Sequence, residues 1–175
     1  RSAFGRVYRG TIESFLLYGM DSCYPSQVGL QNSLERTHRL AARLAANDFR
    51  SDYSTVLDKL HWKRLQELAL ERSLTLCWSY VHGQRHLPNG FLCLRREENS
   101  LRRSQRTGHG AQIILTTSKK SHVCDMPINR SLRLWNRLSE EQANAESKRA
   151  FKTALVSGGA YTRLRALGEI RPLKE

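Results

Sequence analysis

No apolar run in this 175-residue chain approaches the roughly 18 residues that cross a bilayer, and no charged-then-apolar leader opens it. A membrane span and a secretory signal are therefore not expected. The start at Arg1 rather than methionine suits a piece of something longer. Cysteine is sparse, and Cys23, Cys77, Cys93 and Cys124 stand far apart with no CxxC pair. That spacing argues against a disulfide framework or zinc ribbon and for a reduced, intracellular setting. The signatures GxSxG, HExxH, Walker loop and GxGxxG are missing, and no nucleophile or carboxylate pair is legible beside a base and an orienting group. The adjacent acids Glu97-Glu98 and Glu140-Glu141 lie in polar segments, where they balance neighbouring arginines. No cofactor and no small-molecule substrate are implied.

Acidic residues are also few. The chain holds 29 Lys and Arg against 16 Asp and Glu, a formal net charge of +13. The excess is uneven, with 12 cations against 8 anions in residues 1–94 and 17 against 8 in residues 95–175. A basic excess of this size points to a polyanionic partner, because Lys and Arg that neutralise phosphates release condensed counterions. The plainer alternative is a charged surface kept soluble by repulsion.

Apolar periodicity is helical over most of the chain. Residues 63–83 read as one long helix in which Leu65, Ala69, Leu76 and Tyr80 share a side with Leu70, Leu74, Cys77 and Val81. That sector covers about half the helix, more than a surface helix needs. Elements before and after should pack on it. Residues 3–20 form a first helix with Phe4, Val7, Tyr8, Ile12, Phe15 and Leu16 on its apolar side, ending near Cys23 before the Tyr24-Pro25-Ser26 turn. A second helix runs from Gln27 or Leu30 to Ala46 and stops at Asn47. It is expected to bury Leu30, Leu34, Leu40, Ala41, Leu44 and Ala45 and to align Arg36, Arg39 and Arg43 on the far side. Ser51-Asp52 caps a short third helix containing Tyr53, Val56, Leu57 and Leu60. Trp62 is expected to pack rather than to serve as a stacking platform.

After Gly83 the character changes. Residues 95–106 form a polar, basic loop, and residues 113–117 and 121–124 read as a short β-hairpin around Ser118-Lys119-Lys120. Asn129 or Ser131 caps a helix burying Leu132, Trp135 and Leu138, with Arg130, Arg133 and Arg137 on another face. Ser147 caps a further helix carrying Phe151 and Leu155, closed by Gly158-Gly159, and one more turn follows around Tyr161. The expected fold is mainly α, a small helical bundle around the long central helix with a basic loop, a short hairpin and C-terminal helices. Three stretches divide it: 1–87, 88–130 and 131–175. One metal-like spacing occurs, Cys77, His82, His86 and Cys93, whose thiol and imidazole groups would suit zinc. Cys77 already belongs to an apolar helix face, and no metal is expected there.

In order along the chain stand Tyr18-Gly19, Leu34-Glu35-Arg36 with His38-Arg39 and Ala42-Arg43, Leu60-His61-Trp62 with Leu65, and Tyr80 with His82-Gly83. Arg106-Thr107-Gly108-His109, Arg130-Ser131, Leu134-Trp135-Asn136-Arg137-Leu138, and Ala145 with Ser147, Phe151-Lys152 and Leu155 follow. This succession resembles the region C-terminal to the reverse transcriptase palm in non-LTR, LINE-type retrotransposon polyproteins of the jockey-like kind. Tyr24, Ile128 and Ser139 depart from the residues such proteins usually carry there. The palm's metal-binding aspartates, in a Tyr/Phe-x-Asp-Asp turn, do not occur in this sequence. The resemblance implies the thumb and following region of an RNA-directed DNA polymerase without its chemistry. Such a region holds element RNA and target DNA by their backbones and packs beside the palm, in the cytoplasm and nucleus. Backbone contact is then expected from Arg36, Arg39, Arg43, Arg102, Arg103, Arg106, Lys119, Lys120, Arg133 and Arg137. Two rivals stay open: a helical interaction module completing the missing palm, and a decayed reading frame without a selected role.

Overall fold

The computed structural model describes residues 3–20, 24–86, 93–94, 109–115 and 126–167. Among these the chain is mainly helical and has no strand, only one isolated bridge. Its helices are α1 Ala3–Gly10, α2 Ile12–Leu17, α3 Val28–Ala46, α4 Tyr53–Leu60, α5 Leu65–Val81, α6 Pro127–Asn136, α7 Glu140–Ala143, α8 Lys148–Ser157 and α9 Ala160–Ala166. The chain divides into two compact units between Leu70 and Glu71, inside α5.

In the N-terminal unit, the single helix expected over 3–20 is two helices broken at Thr11. The Thr11 hydroxyl donates to the Val7 carbonyl at 2.7 Å, sharing it with the Thr11 amide at 3.0 Å, a back-bond of the kind that bends a helix, and the Thr11 backbone departs from regular helix at φ −114°. Only part of the apolar side expected for this stretch is turned inward: Tyr8 is buried and Leu16 is half-buried against the core. Tyr8, Gly5 and Glu13 are buried, whereas Phe4, Val7 and Ile12 are exposed and Phe15 is 80 % exposed. Pro25 precedes α3, which ends with Asn47 in the left-handed region (φ 51°), as the asparagine stop suggested.

The buried face of α3 also differs from the expected one. Ala41 and Ala45 are buried and Leu34 half-buried, but Leu30, Leu40 and Leu44 are exposed. Gln31, Glu35, His38 and Ala42 are buried in their place. These buried polar side chains have partners elsewhere in the chain, which offset part of the cost of taking them out of water, although Glu35 Oε2 is buried without a hydrogen-bond partner among the described residues. The Gln31 amide donates to the Pro25 carbonyl at 2.6 Å and accepts from Gln66 at 3.3 Å. Tyr53 donates to Glu35 at 2.6 Å, and the Leu65 amide donates to the same oxygen at 3.3 Å. The Lys63 carbonyl can only accept, so His38 Nε2 (3.0 Å) carries the proton and Nδ1 accepts from the Tyr8 hydroxyl at 2.8 Å. Trp62 stacks on the Tyr8 ring with centroids 5.4 Å apart, as a packing group. Apolar contact comes from two clusters, one of Met20, Tyr24, Leu65 and Ala69, the other of Ala42, Tyr53, Val56 and Leu57.

The expected side-chain cap of α4 is absent. Asp52 occupies the N-cap position without a side-chain bond, and Asp48 does the local fastening instead. Its carboxyl accepts from the Ser51 amide (3.0 Å), the Ser51 hydroxyl (2.8 Å) and the Lys59 ammonium (2.5 Å), which holds its pKa far below the usual carboxylate range. α4 ends on His61 in the left-handed region, φ 55°.

In the C-terminal unit, α6 starts earlier than expected. Pro127 occupies its first turn, where a missing N–H costs nothing, and the Ser131 hydroxyl bonds back to Pro127 rather than capping. Leu132, Trp135 and Leu138 are buried as the spacing indicated, with Leu134 beside them. The segment after Leu138 contains α7, opened by a reciprocal capping box between Ser139 and Gln142. Ser147 accepts from the Ala150 amide at 3.1 Å and caps α8. Trp78 and Trp135 both lie near the Phe151 ring, at 6.1 and 6.0 Å between centroids. On α5, Leu74, Cys77 and Trp78 are buried, while Leu76, Tyr80 and Val81 are half-buried. Of the expected hairpin, the described residues 113–115 make one antiparallel bridge, from Ile113 to Leu94. Its second arm, at 121–124, lies outside the described residues.

Candidate nucleic-acid interface

The arginines expected to contact phosphate fall into three groups. On α3, Arg36 is exposed, but Arg39 and Arg43 are half-buried. Arg39 lies over the Tyr53 ring at 5.0 Å, and Arg64 lies over the same ring at 5.4 Å. Both guanidinium groups thereby flank the Glu35–Tyr53 pair. Of the three, Arg36 alone is exposed. On α6, Arg133 is half-buried, and Arg137, at the C-cap, is exposed. Arg102, Arg103, Arg106, Lys119 and Lys120, with the basic loop at 95–106, lie outside the described residues.

The motif residues of the C-terminal unit have structural partners that periodicity did not reveal. His109 is buried and its Nε2 donates to the Trp135 carbonyl at 2.8 Å, with the two rings edge to face at 5.2 Å. The Trp135 indole N–H donates to the Ala111 carbonyl at 2.9 Å. Asn136 grips Ile113 at both backbone groups, accepting from its amide and donating to its carbonyl, each at 2.8 Å. The Trp78 indole N–H donates to Ala145 at 3.1 Å. These bonds pin residues 109–113 to α6 and residue 145 to α5. Desolvation lowers the pKa of His109 and of His38.

The cysteine and histidine spacing does not become a cluster. Cys77 is buried, which pushes its thiol up to about 12, while His82 stacks on Trp78 at 4.4 Å. His86 and Cys93 are exposed, and no group of three or more metal-ligating side chains comes together among the described residues. No helix among these residues is long and apolar enough to cross a membrane. No protein-family model, curated protein or solved structure matches the chain.

Proposed function

We propose that this chain is a non-catalytic, nucleic-acid-binding part of a LINE-type retrotransposon RNA-directed DNA polymerase, holding RNA or an RNA/DNA duplex through backbone charge. The observation that carries the reading is the net charge of +13, concentrated after residue 94. Arg36 and Arg137 are exposed and so can reach phosphate. The resemblance adds the polymerase context, with element RNA, target DNA and a palm domain as partners in the cytoplasm and nucleus. Arg36→Ala with Arg137→Ala should lower affinity for all sequences alike and flatten the salt slope by about one unit per lost phosphate contact. An unchanged slope would remove both residues from the interface.

A second reading, a helical module completed by a partner protein, is favoured by one observation. Phe15 and Tyr18 are 80 % and 85 % exposed on or beside α2, with Val7 and Ile12 also exposed nearby in sequence.

A further inference from the structure

Within the C-terminal unit, residues 147–167 carry Lys148, Arg149, Lys152, Arg163 and Arg165 and no acid. All five are exposed, because α8 turns Phe151 and Leu155 inward and α9 turns Ala160 and Leu164 inward. The two helices pack against each other across Gly158-Gly159, where Gly159 takes φ 59°. Lys152 is paired with Glu71 at 3.3 Å. The side chains of Lys148, Arg149 and Arg163 enter no ion pair or hydrogen bond among the described residues. In the N-terminal unit some cations are engaged, Arg9 with Glu13 at 3.2 Å, Lys59 with Asp48, and Arg39 and Arg64 over Tyr53, while Arg6, Arg36 and Arg50 are exposed.

We infer that the outward side of α8 and α9 is a further phosphate-binding surface, and that its ligand is a nucleic-acid duplex held without regard to sequence. The inference rests on the nucleic-acid reading above and assigns a surface and ligand form to it. Lys148, Arg149 and Arg163 are the exposed cations here that enter no ion pair among the described residues, and a polyphosphate backbone is the partner that neutralises such groups while releasing counterions. The duplex form follows from the aromatic residues. Phe151 is buried and Tyr161 half-buried, so this face offers no exposed ring on which an unstacked base could lie.

The test compares the full chain with K148Q/R149Q/R163Q, and with R6Q/R50Q/R85Q, which removes the same charge from exposed positions elsewhere. Binding is titrated with salt against two RNA duplexes of unrelated sequence, each of about 20 base pairs, and a single strand of equal length. The first triple should reduce the log-log slope by about 2 to 3, at about 0.9 per lost phosphate contact, equally for both duplexes. The control triple should stay near wild type. R149K/R163K, which keeps the charge and serves if the first triple does not fold, should also stay near wild type. Equal slopes for wild type and the first triple, equal losses in both triples, weakened binding by R149K/R163K, or tighter binding of the single strand would each overturn the inference. Those results leave the nucleic-acid reading standing. Absence of wild-type binding at any salt would overturn that reading and this inference together.

Discussion

The Tyr53 hydroxyl donates to the Glu35 carboxyl at 2.6 Å across 18 residues of sequence, and both groups are buried. The bond joins α3 to α4, and the same carboxyl oxygen holds the Leu65 amide at the start of α5. Arg39 and Arg64 lie over the ring of the donor. Glu35→Ala should therefore cost about 3 to 5 kcal/mol, because it strands a buried hydroxyl, an amide and the facing cationic groups. Tyr53→Phe should cost about 1 to 3 kcal/mol. Chemical denaturation of both single variants and the double variant should give a coupling energy of about 1 kcal/mol or more. Additive effects would mean that the bond contributes nothing beyond its two residues.

Trp135 is fully buried, and its indole N–H and backbone carbonyl both hold the 109–111 segment. Trp135→Ala should destabilise the chain by about 3 to 5 kcal/mol. Asn136→Ala leaves the Ile113 amide and carbonyl without their partner and should cost about 1 to 3 kcal/mol. A loss well below 1 kcal/mol for Trp135→Ala would contradict its central place in this core.

His38 and His109 give the protein a defined acid sensitivity. Burial lowers the folded-state pKa of each below the ordinary histidine value of about 6.5. The unfolded chain then binds more protons in that range, so stability rises with pH and is fully present above about 6.5. Thermal midpoints should fall as pH is lowered below 6.5 towards the folded-state values. His38→Gln should flatten this dependence while lowering stability at neutral pH, since Tyr8 and Lys63 lose their partner geometry. A midpoint that rises on acidification through this window would contradict the assignment.

His61 closes α4 with φ 55°, a conformation that costs a side-chain-bearing residue about 1 to 2 kcal/mol relative to glycine. His61 is exposed, so little packing is lost on its removal. After the greater unfolded-state freedom of glycine is counted, His61→Gly should stabilise by about 0.5 kcal/mol. The midpoint of denaturation reads this directly, and a lowered midpoint would show that the imidazole holds the turn.

The helical elements were legible where a local signal exists. Asn47 ended α3, Ser147 capped α8, and the periodicity of residues 63–83 matched α5 to within two residues at each end. The faces of the first helices were only partly legible. Counting leucines on α3 selected Leu30, Leu40 and Leu44, yet the helix buries Gln31, Glu35 and His38, whose partners lie 6 to 35 residues away in sequence. Hydrophobic pattern carries no record of such pairings. The arginine stripe shows the same limit: Arg36 is exposed, but Arg39 and Arg43 are half-buried, and the Tyr53 ring that engages Arg39 comes from another helix. Asn136 and His109 stood out as motif residues, and their hold on backbone groups 23 to 26 residues away emerged only with the fold.

The most direct test of nucleic-acid binding is a salt titration of the intact chain against a structured RNA and a DNA duplex of equal length, after cooperative unfolding has been established. A steep log-log slope with submicromolar affinity at low salt is expected, and a gap between the two ligands would name the preferred one. A cooperatively folded chain that binds neither ligand at low salt would contradict the proposed function and transfer the weight to the exposed apolar residues around α2.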